Sequence, residues 1–320
     1  ALLDDINYED GTIRLYGKEY NLLDHAFPTV DPENPYELSK EEEEVMERLV
    51  SAFANCEKLQ RHMQLLLKKG SLYKVYNNNL LYHGCVPLND DGSFKEVEIY
   101  GRTYKGRELY DVLESYVRKA FFALDKEEKQ RGRDILWFIW SSPASPLFGK
   151  DKMATFERYF LAEKETHVEK KNSYYRLLED ENVVDNIFRE FGIEGDCCHI
   201  INGHVPVHHT SGESPIKCGG KVLVIDGGFS KAYQKETGIA GYTLIYNSWG
   251  MILAAHEPFT LAEDAITRES DILSDSILVK RTSLRKTVGD TDNGHHLQES
   301  IDELKQLLKA YRNGQIIEKE

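Results

Sequence analysis

Residues 199–207 read HIINGHVPV. Two adjacent isoleucines suit a buried strand, and Asn202-Gly203 ends the run where a turn can form. The chain then places His204 just past the strand end. The same plan recurs. Leu80–Tyr82 lead into His83-Gly84, and 220–228, 241–248 and 251–259 (GKVLVIDGG, GYTLIYNS, MILAAHEPF) are further apolar runs ending in Gly, Ser or Pro segments. Residues 134–140, DILWFIW, are continuously apolar after the aspartate and read as one more buried strand, ending at Trp140 before the loop SSPASPLFGKDK. Helical patterns lie between these runs, which predicts a layered α/β core.

The first helical pattern starts at Ser39, with Glu42 three residues later as in a capping box. Val45, Leu49, Phe53, Cys56, Met63 and Leu66 continue one stripe until Gly70. A second amphipathic helix covers about 106–128, with Leu109, Val112, Tyr116, Ala120 and Leu124 on one face. Residues 91–105 suggest a hairpin, and 173–191 one helix or two short ones. The tail from about 297 to 313 predicts a surface helix that buries Leu297, Ile301, Leu304, Leu308 and Tyr311. Residues 1–38 read as loop and short strands.

The 320 residues can bury a sizeable core, and 41% hydrophobic with 11% aromatic content is that of a globular chain. A formal net charge of −14 with no basic stripe argues against nucleic acid as a partner. No apolar run approaches the ~18 residues of a membrane span, and no signal peptide opens the chain. Five cysteines, an odd number without a CxxC pair, fit a reduced, cytoplasmic setting. The first residue is Ala, and the opening reads as though inside a domain, as expected of a fragment or a processed chain.

Three histidines, His204, His208 and His209, fall within six residues. Pro206 makes a helix through them improbable, and in extended chain His204 and His208 share a face while His209 points away. The strand-end context favours function for His204, and solvated loop positions suit His208 and His209. His83 has a similar setting, with Gly84 permitting close backbone approach. A satisfied strand-terminal histidine would look the same, and two imidazoles complete no metal site. The segment 195–199, GDCCH, lacks ligand spacing and reads as structural. The segment 224–230, VIDGGFS, lacks the nucleotide-binding fingerprints; it reads as a hairpin turn, with an anion nest as the alternative. Asp290 and Asp292 read as a solvated turn.

Four segments in order carry a resemblance: NNLLYHGCVPL (78–88), ILWFIWSSPASPLFGKD (135–151), HIINGHVPV (199–207) and KVLVIDGGFSKAYQKETGIAGYTLIYNS (221–248). Together with the tail from Arg281, they resemble the C-terminal half of class 3 fructose-1,6-bisphosphatase. That family is related to the calcineurin-like metallophosphatases. The resemblance runs along the whole chain, and NGHVPV with DGGFSKAYQ is its most specific part. It implies a calcineurin-like β-sandwich flanked by helices, here incomplete, with 39–70 and 106–128 as helical insertions of a single domain. It implies a dinuclear manganese or magnesium centre that activates water to attack the 1-phosphate of fructose 1,6-bisphosphate, a gluconeogenic step.

By resemblance, His83 and His204 are metal ligands. Trp140-Ser141-Ser142-Pro143 would line the phosphate side of the cleft. Lys150, Lys152 and Arg158, which follow the Trp140 strand end, are candidates to neutralise phosphate charge, with surface solvation as the alternative for each, and the loop Asp226, Gly227, Gly228 and Lys231 would meet the sugar or second phosphate. The superfamily motifs DxH, GDxxDRG and GNHE do not occur in the sequence. The resemblance therefore implies that the remaining ligands and the catalytic residues belong to an N-terminal half, on the same gene product or a second chain. The 320 residues alone are expected not to assemble the dinuclear site. A homo-oligomer is compatible with the sequence. A protein serine/threonine phosphatase of the same superfamily, or a non-catalytic interaction domain, would also fit parts of this reading.

Overall fold

In the computed structural model, the described residues are 2–195, 197–257, 263, 266–267, 269 and 274–317, without the side chains of Lys231 and Tyr233. Three short strands open the chain: β1 (Ile6–Asn7), β2 (Thr12–Leu15) and β3 (Lys18–Asn21). Helices α1 (Lys40–Ala54) and α2 (Glu57–Lys69) follow, then β4 (Tyr73–Tyr76), β5 (Asn79–Tyr82), β6 (Val97–Ile99) and β7 (Arg102–Tyr104). Next come α3 (Gly106–Phe122), α4 (Lys126–Ser141), α5 (Thr155–Phe160), α6 (Ser173–Leu177) and α7 (Glu181–Glu190). The last part holds β8 (His199–Asn202), β9 (Ile216–Lys217), β10 (Val222–Val224), α8 (Lys231–Thr237), β11 (Gly241–Asn247), β12 (Gly250–His256), β13 (Ser274–Arg281) and α9 (Asp292–Arg312). The result is a mixed α/β chain. Among the described residues, no helix is long and apolar enough to cross a membrane.

The chain forms two compact units, one of Ala1–Ser71 with Leu113–Asn172 and the other of Leu72–Val112 with Ser173–Glu320. In the first, β1–β3 form an antiparallel sheet. Ile13, Leu15, Tyr20 and Leu22 pack with Leu161, Phe156 and Phe160. The capping box at Ser39 forms as the sequence predicts, and Gly70 caps the end of α2. The single predicted helix is two, broken at Asn55-Cys56, because Asn55 leaves the helical conformation and its amide turns back to Ser51 and Phe53. The stripe Val45, Leu49, Phe53 and Leu66 is exposed, and no residue of either helix is buried.

The strand expected at 134–140 is helical. It forms the last two turns of α4, whose N-cap Asp125 accepts from the Glu128 amide. A seven-residue apolar run fits either a buried strand or a helix. Here the helix-forming residues from Lys126 onward decide, because they extend the capped helix into the run. Burial falls on Gly132, Ile135 and Ile139, a helical spacing. Gly132 is required by contact: a Cβ there would lie 2.4 Å from the Ala120 amide nitrogen and 2.6 Å from the Tyr116 carbonyl of α3. Trp137 and Trp140 point outward, 66% and 57% exposed. Trp140 therefore ends a helix, not a strand. Helix α3 itself stops at Phe122, which leaves Leu124 outside it and fully exposed.

The second unit is built on a five-stranded sheet ordered β4-β5-β8-β10-β9. β5, β8 and β10 are parallel, and β4 and β9 are antiparallel edges. Alternate residues face opposite ways, as in any strand. Leu80, Ile200 and Val222 belong to a core with Tyr110, Tyr174, Ile187 and Phe188 from helical segments. Ile201 and Leu223 pack with Met251 of the antiparallel sheet β11-β12-β13. The hairpin β6-β7 forms within the segment expected, and 173–191 forms two helices. Helix α9 starts earlier than predicted, capped by Thr291. Its stripe is not buried: Leu297, Ile301, Leu304, Leu308 and Tyr311 are all exposed.

Candidate functional site

Three neighbouring parallel strands end side by side, and each delivers a polar residue just beyond its last position. β5 runs into His83, β8 into Gly203-His204, and β10 into Ile225-Asp226. Ligand sites in parallel α/β sheets form at the carboxyl ends of strands, where backbone groups are released from the ladder. Backbone bonds hold the three ends in register. The Gly203 amide donates to the His83 carbonyl (3.0 Å), Ile225 to Asn202 (2.9 Å) and Val207 to Asp226 (2.8 Å).

The two histidines meet. His83 Nε2 lies 2.9 Å from His204 Nδ1, with the rings steeply inclined at 60°. His204 reaches this position with φ +67, the left-handed region that a non-glycine residue enters at a cost of roughly 1 kcal/mol. Desolvation lowers the His83 pKa most, the neighbouring His204 lowers it further, and Asp226 opposes both. The net effect favours the neutral imidazole, the form that binds metals.

Two orphaned polar atoms accompany this pair. Asn202 Nδ2 donates to the carbonyl of Gly84, which leaves its Oδ1 buried without a hydrogen-bond partner among the described residues. The hydroxyl of Tyr175 is buried with no oxygen or nitrogen partner among the described residues, and burial above all, then the neighbouring Cys85 and Tyr174 and lastly Asp226, raises its pKa above the ordinary tyrosine value. Buried polar groups are nearly always satisfied, so orphans at a strand-end cluster point to a ligand. Neither residue was singled out from the sequence. For Asn202 the signal was present, since it directly precedes Gly203-His204; for Tyr175, on a short helix, there was none.

The nitrogen spacing suits a metal. With metal–nitrogen bonds of about 2.1 Å, two ligands at a right angle stand about 3.0 Å apart. The same spacing suits a hydrogen bond between one protonated and one bare nitrogen. Among the described residues, no group of three or more His, Cys, Asp or Glu side chains could hold a metal ion. The two imidazoles by themselves complete no metal site.

The loop after β10 is not a hairpin turn. It joins a strand to α8, because Ser230 and the residues after it continue as helix. The Gly228 amide donates to Asp226 Oδ1 (2.9 Å), so that amide serves its own loop. Gly227 is fixed by packing: a Cβ would lie 2.7 Å from Ile239 Cδ1 and 2.8 Å from Gly241 Cα. The Lys231 side chain lies outside the described residues. His208 and His209 sit at the start of a short 3-10 turn, and the His208 amide donates to the Glu213 carboxylate. In the GDCCH segment, Cys198 Sγ meets the Gly195 carbonyl and His199 bonds Asn79, while Asp196 lies outside the described residues. Asp290 caps Thr287, and Asp292 accepts from the Asn77 amide.

Lys150, Lys152 and Arg158 belong to the first unit, and each faces a carboxylate there. Lys150 pairs with Glu169 (2.8 Å), Arg158 with Glu169 (3.3 Å), and Lys152 with Glu157 (3.3 Å). Lys152 also donates to Tyr16 Oη and the Thr166 carbonyl.

A protein-family profile described as "Firmicute fructose-1,6-bisphosphatase" matches residues 1–313. The chain belongs to this family. It is 57% identical to a fructose-1,6-bisphosphatase class 3 of Clostridioides difficile (strain 630), over 99% of the chain and 48% of that relative's length. It is 54% identical to that of Clostridium novyi (strain NT), over 100% of the chain and 48% of the relative, and 53% identical to that of Listeria innocua, over 99% and 49%. The chain therefore spans about half the length of these family members. No solved structure matches it significantly.

Proposed function

We propose that this chain forms part of a class 3 fructose-1,6-bisphosphatase that hydrolyses fructose 1,6-bisphosphate to fructose 6-phosphate and phosphate. The observation that carries the reading is the junction of three parallel strand ends, where His83 Nε2 and His204 Nδ1 lie 2.9 Å apart beside Asp226. Family membership supplies the substrate, through the name its relatives bear.

In this reading, His83 and His204 hold one divalent cation of a dinuclear centre, manganese or magnesium, on a calcineurin-like scaffold. Such a cation supplies Lewis-acid charge neutralisation at a phosphoryl group. The chain's own residues orient and insulate. The strained backbone at His204 turns its ring toward His83, and desolvation with mutual repulsion keeps His83 neutral at Nε2. Asp226 is held by the Gly228 amide at the rim. The chain corresponds to the C-terminal half, and the other ligands and the catalytic residues come from the rest of the length its relatives possess.

The test uses protein of that full length. Phosphate release from fructose 1,6-bisphosphate and bound manganese are measured for the parent, His83→Ala and His204→Ala. Both variants should keep the fold and lose most metal and turnover. Full turnover with full metal occupancy in either variant removes that residue from the site.

A further inference from the structure

The opposite ends of the same parallel strands carry a second cluster. His83 and His204 follow the carboxyl ends of β5 and β8, whereas Asn79 and His199 open those strands. At this amino end a cavity is lined by Asn77, His199, Tyr246, Lys280, Thr282 and Lys286, among others. Among the described residues lining it, none is acidic, although the whole chain carries a net charge of −14. Lys280 and Lys286 thus both line one partly enclosed site, with the Lys286 ammonium 6.0 Å from the centre of the Tyr246 ring.

Its polar groups are arranged by their neighbours. Asn79 Nδ2 donates to the carbonyls of Tyr76 and Asn77, which turns its Oδ1 toward His199. His199 Nδ1 lies 3.1 Å from that oxygen, so Nδ1 carries the proton and Nε2 is bare in the neutral ring. The nearby carboxylate of Asp292 is engaged by the Asn77 amide at 2.8 Å. Thr282 Oγ1 is buried and has no hydrogen-bond partner among the described residues. A buried hydroxyl without a partner calls for a ligand or a solvent molecule. Burial chiefly, and then Lys280 and Lys286, hold the His199 pKa down at about 4, so the field of both ammonium groups reaches the imidazole.

We propose that this cavity is an anion-binding site for a phosphate dianion, separate from the His83–His204 centre. Lys280 and Lys286 supply the charge, and the Thr282 hydroxyl donates to one phosphate oxygen. Lysine serves such ligands as a point charge. The dianion could be free phosphate or the headgroup of a small phosphomonoester, and both present the same oxygens.

The experiment is calorimetric titration at constant ionic strength with inorganic phosphate and, separately, with glycerol 3-phosphate. The protein is the chain carrying His83→Ala and His204→Ala, so that the strand-end centre cannot supply the signal. Saturable binding is expected, and Lys286→Met or Thr282→Val should weaken it about tenfold, the effect of one lost hydrogen bond to a charged ligand. Tighter binding of glycerol 3-phosphate assigns the monoester headgroup, and equal or weaker binding assigns the free ion; either supports the site. Binding of neither ligand, or unchanged affinity in both variants when circular dichroism shows them folded, overturns it. Thr282→Ser, which keeps the hydroxyl, should bind as the parent does.

Discussion

His83 Nε2 and His204 Nδ1 lie 2.9 Å apart although 121 residues separate them in sequence. The contact follows from sheet order. β5 and β8 are parallel neighbours, paired from Asn79–His199 to Leu81–Ile201, so the residues just past their ends are neighbours too. His204 must also adopt φ +67 to turn its ring inward.

That backbone conformation separates function from stability. His204→Gly removes the strain of the left-handed conformation, whereas His204→Ala retains it. The glycine variant should therefore be the more stable of the two by about 1 kcal/mol. If His204 holds a cation as proposed, both should lose it alike. Urea denaturation of the two proteins checks the difference. Equal midpoints would show that the backbone relaxes freely once the ring is gone.

Gly227 tests whether the loop after β10 is shaped by packing. The contacts at 2.7 Å to Ile239 and 2.8 Å to Gly241 leave no room for a methyl group. Gly227→Ala should cost about 1–3 kcal/mol by overpacking. A thermal melt reads this, and an unchanged Tm would mean that the Ile239 side chain moves aside at little cost.

Strands β5, β8 and β10 were legible in the sequence, though not their direction, because each apolar run is short and ends in a polar turn, as HIINGHVPV does at Asn202-Gly203. The capping box at Ser39 was equally plain. DILWFIW misled because its seven residues carry no period of their own; the deciding information lay upstream, in the Asp125 cap and the helix formers after it. The stripe of α9 was read as buried because amphipathic spacing shows which residues share a face, and it does not show what covers that face. At the site, the strand-end position marked His83 and His204 as candidates, and family resemblance assigned them as ligands. The orphaned Asn202 Oδ1 and Tyr175 hydroxyl could only be found once side chains were placed.

Lys152 and Arg158 were candidates on the same grounds, yet they should respond differently. Lys152 is largely enclosed, donating to Tyr16 and Thr166 while paired with Glu157. Lys152→Met leaves the Thr166 carbonyl and part of the Glu157 carboxylate without a donor, a loss of about 1–3 kcal/mol. Arg158 is more than half exposed, and Arg158→Ala should cost roughly 0–1 kcal/mol. Denaturant midpoints of the two variants give the comparison. Equal losses would mean that solvent reaches the Lys152 cluster as readily as the Arg158 pair.

His199 sets a pH dependence whose sign is fixed. Its pKa falls from an ordinary 6.5 to about 4 in the folded chain, through burial first and then the charges of Lys280 and Lys286. As pH drops through 6.5, the unfolded chain takes up a proton at this ring and the folded chain does not. The unfolded state then binds more protons, so stability falls progressively down to the folded value and no further on this account. Above about pH 6.5 both states are neutral, and His199 contributes no slope. His199→Gln keeps a side chain that can bond Asn79 and removes the titration. The difference in urea midpoint between the parent and this variant should therefore be constant near neutral pH. Between about pH 6 and pH 4 it should move against the parent. Carboxylates titrate over the same range in both proteins and cancel in the comparison. Lys280→Met should raise the His199 pKa and make the parent's slope shallower. A midpoint difference that stays flat across the whole range would mean that the buried ring takes up its proton as easily folded as unfolded.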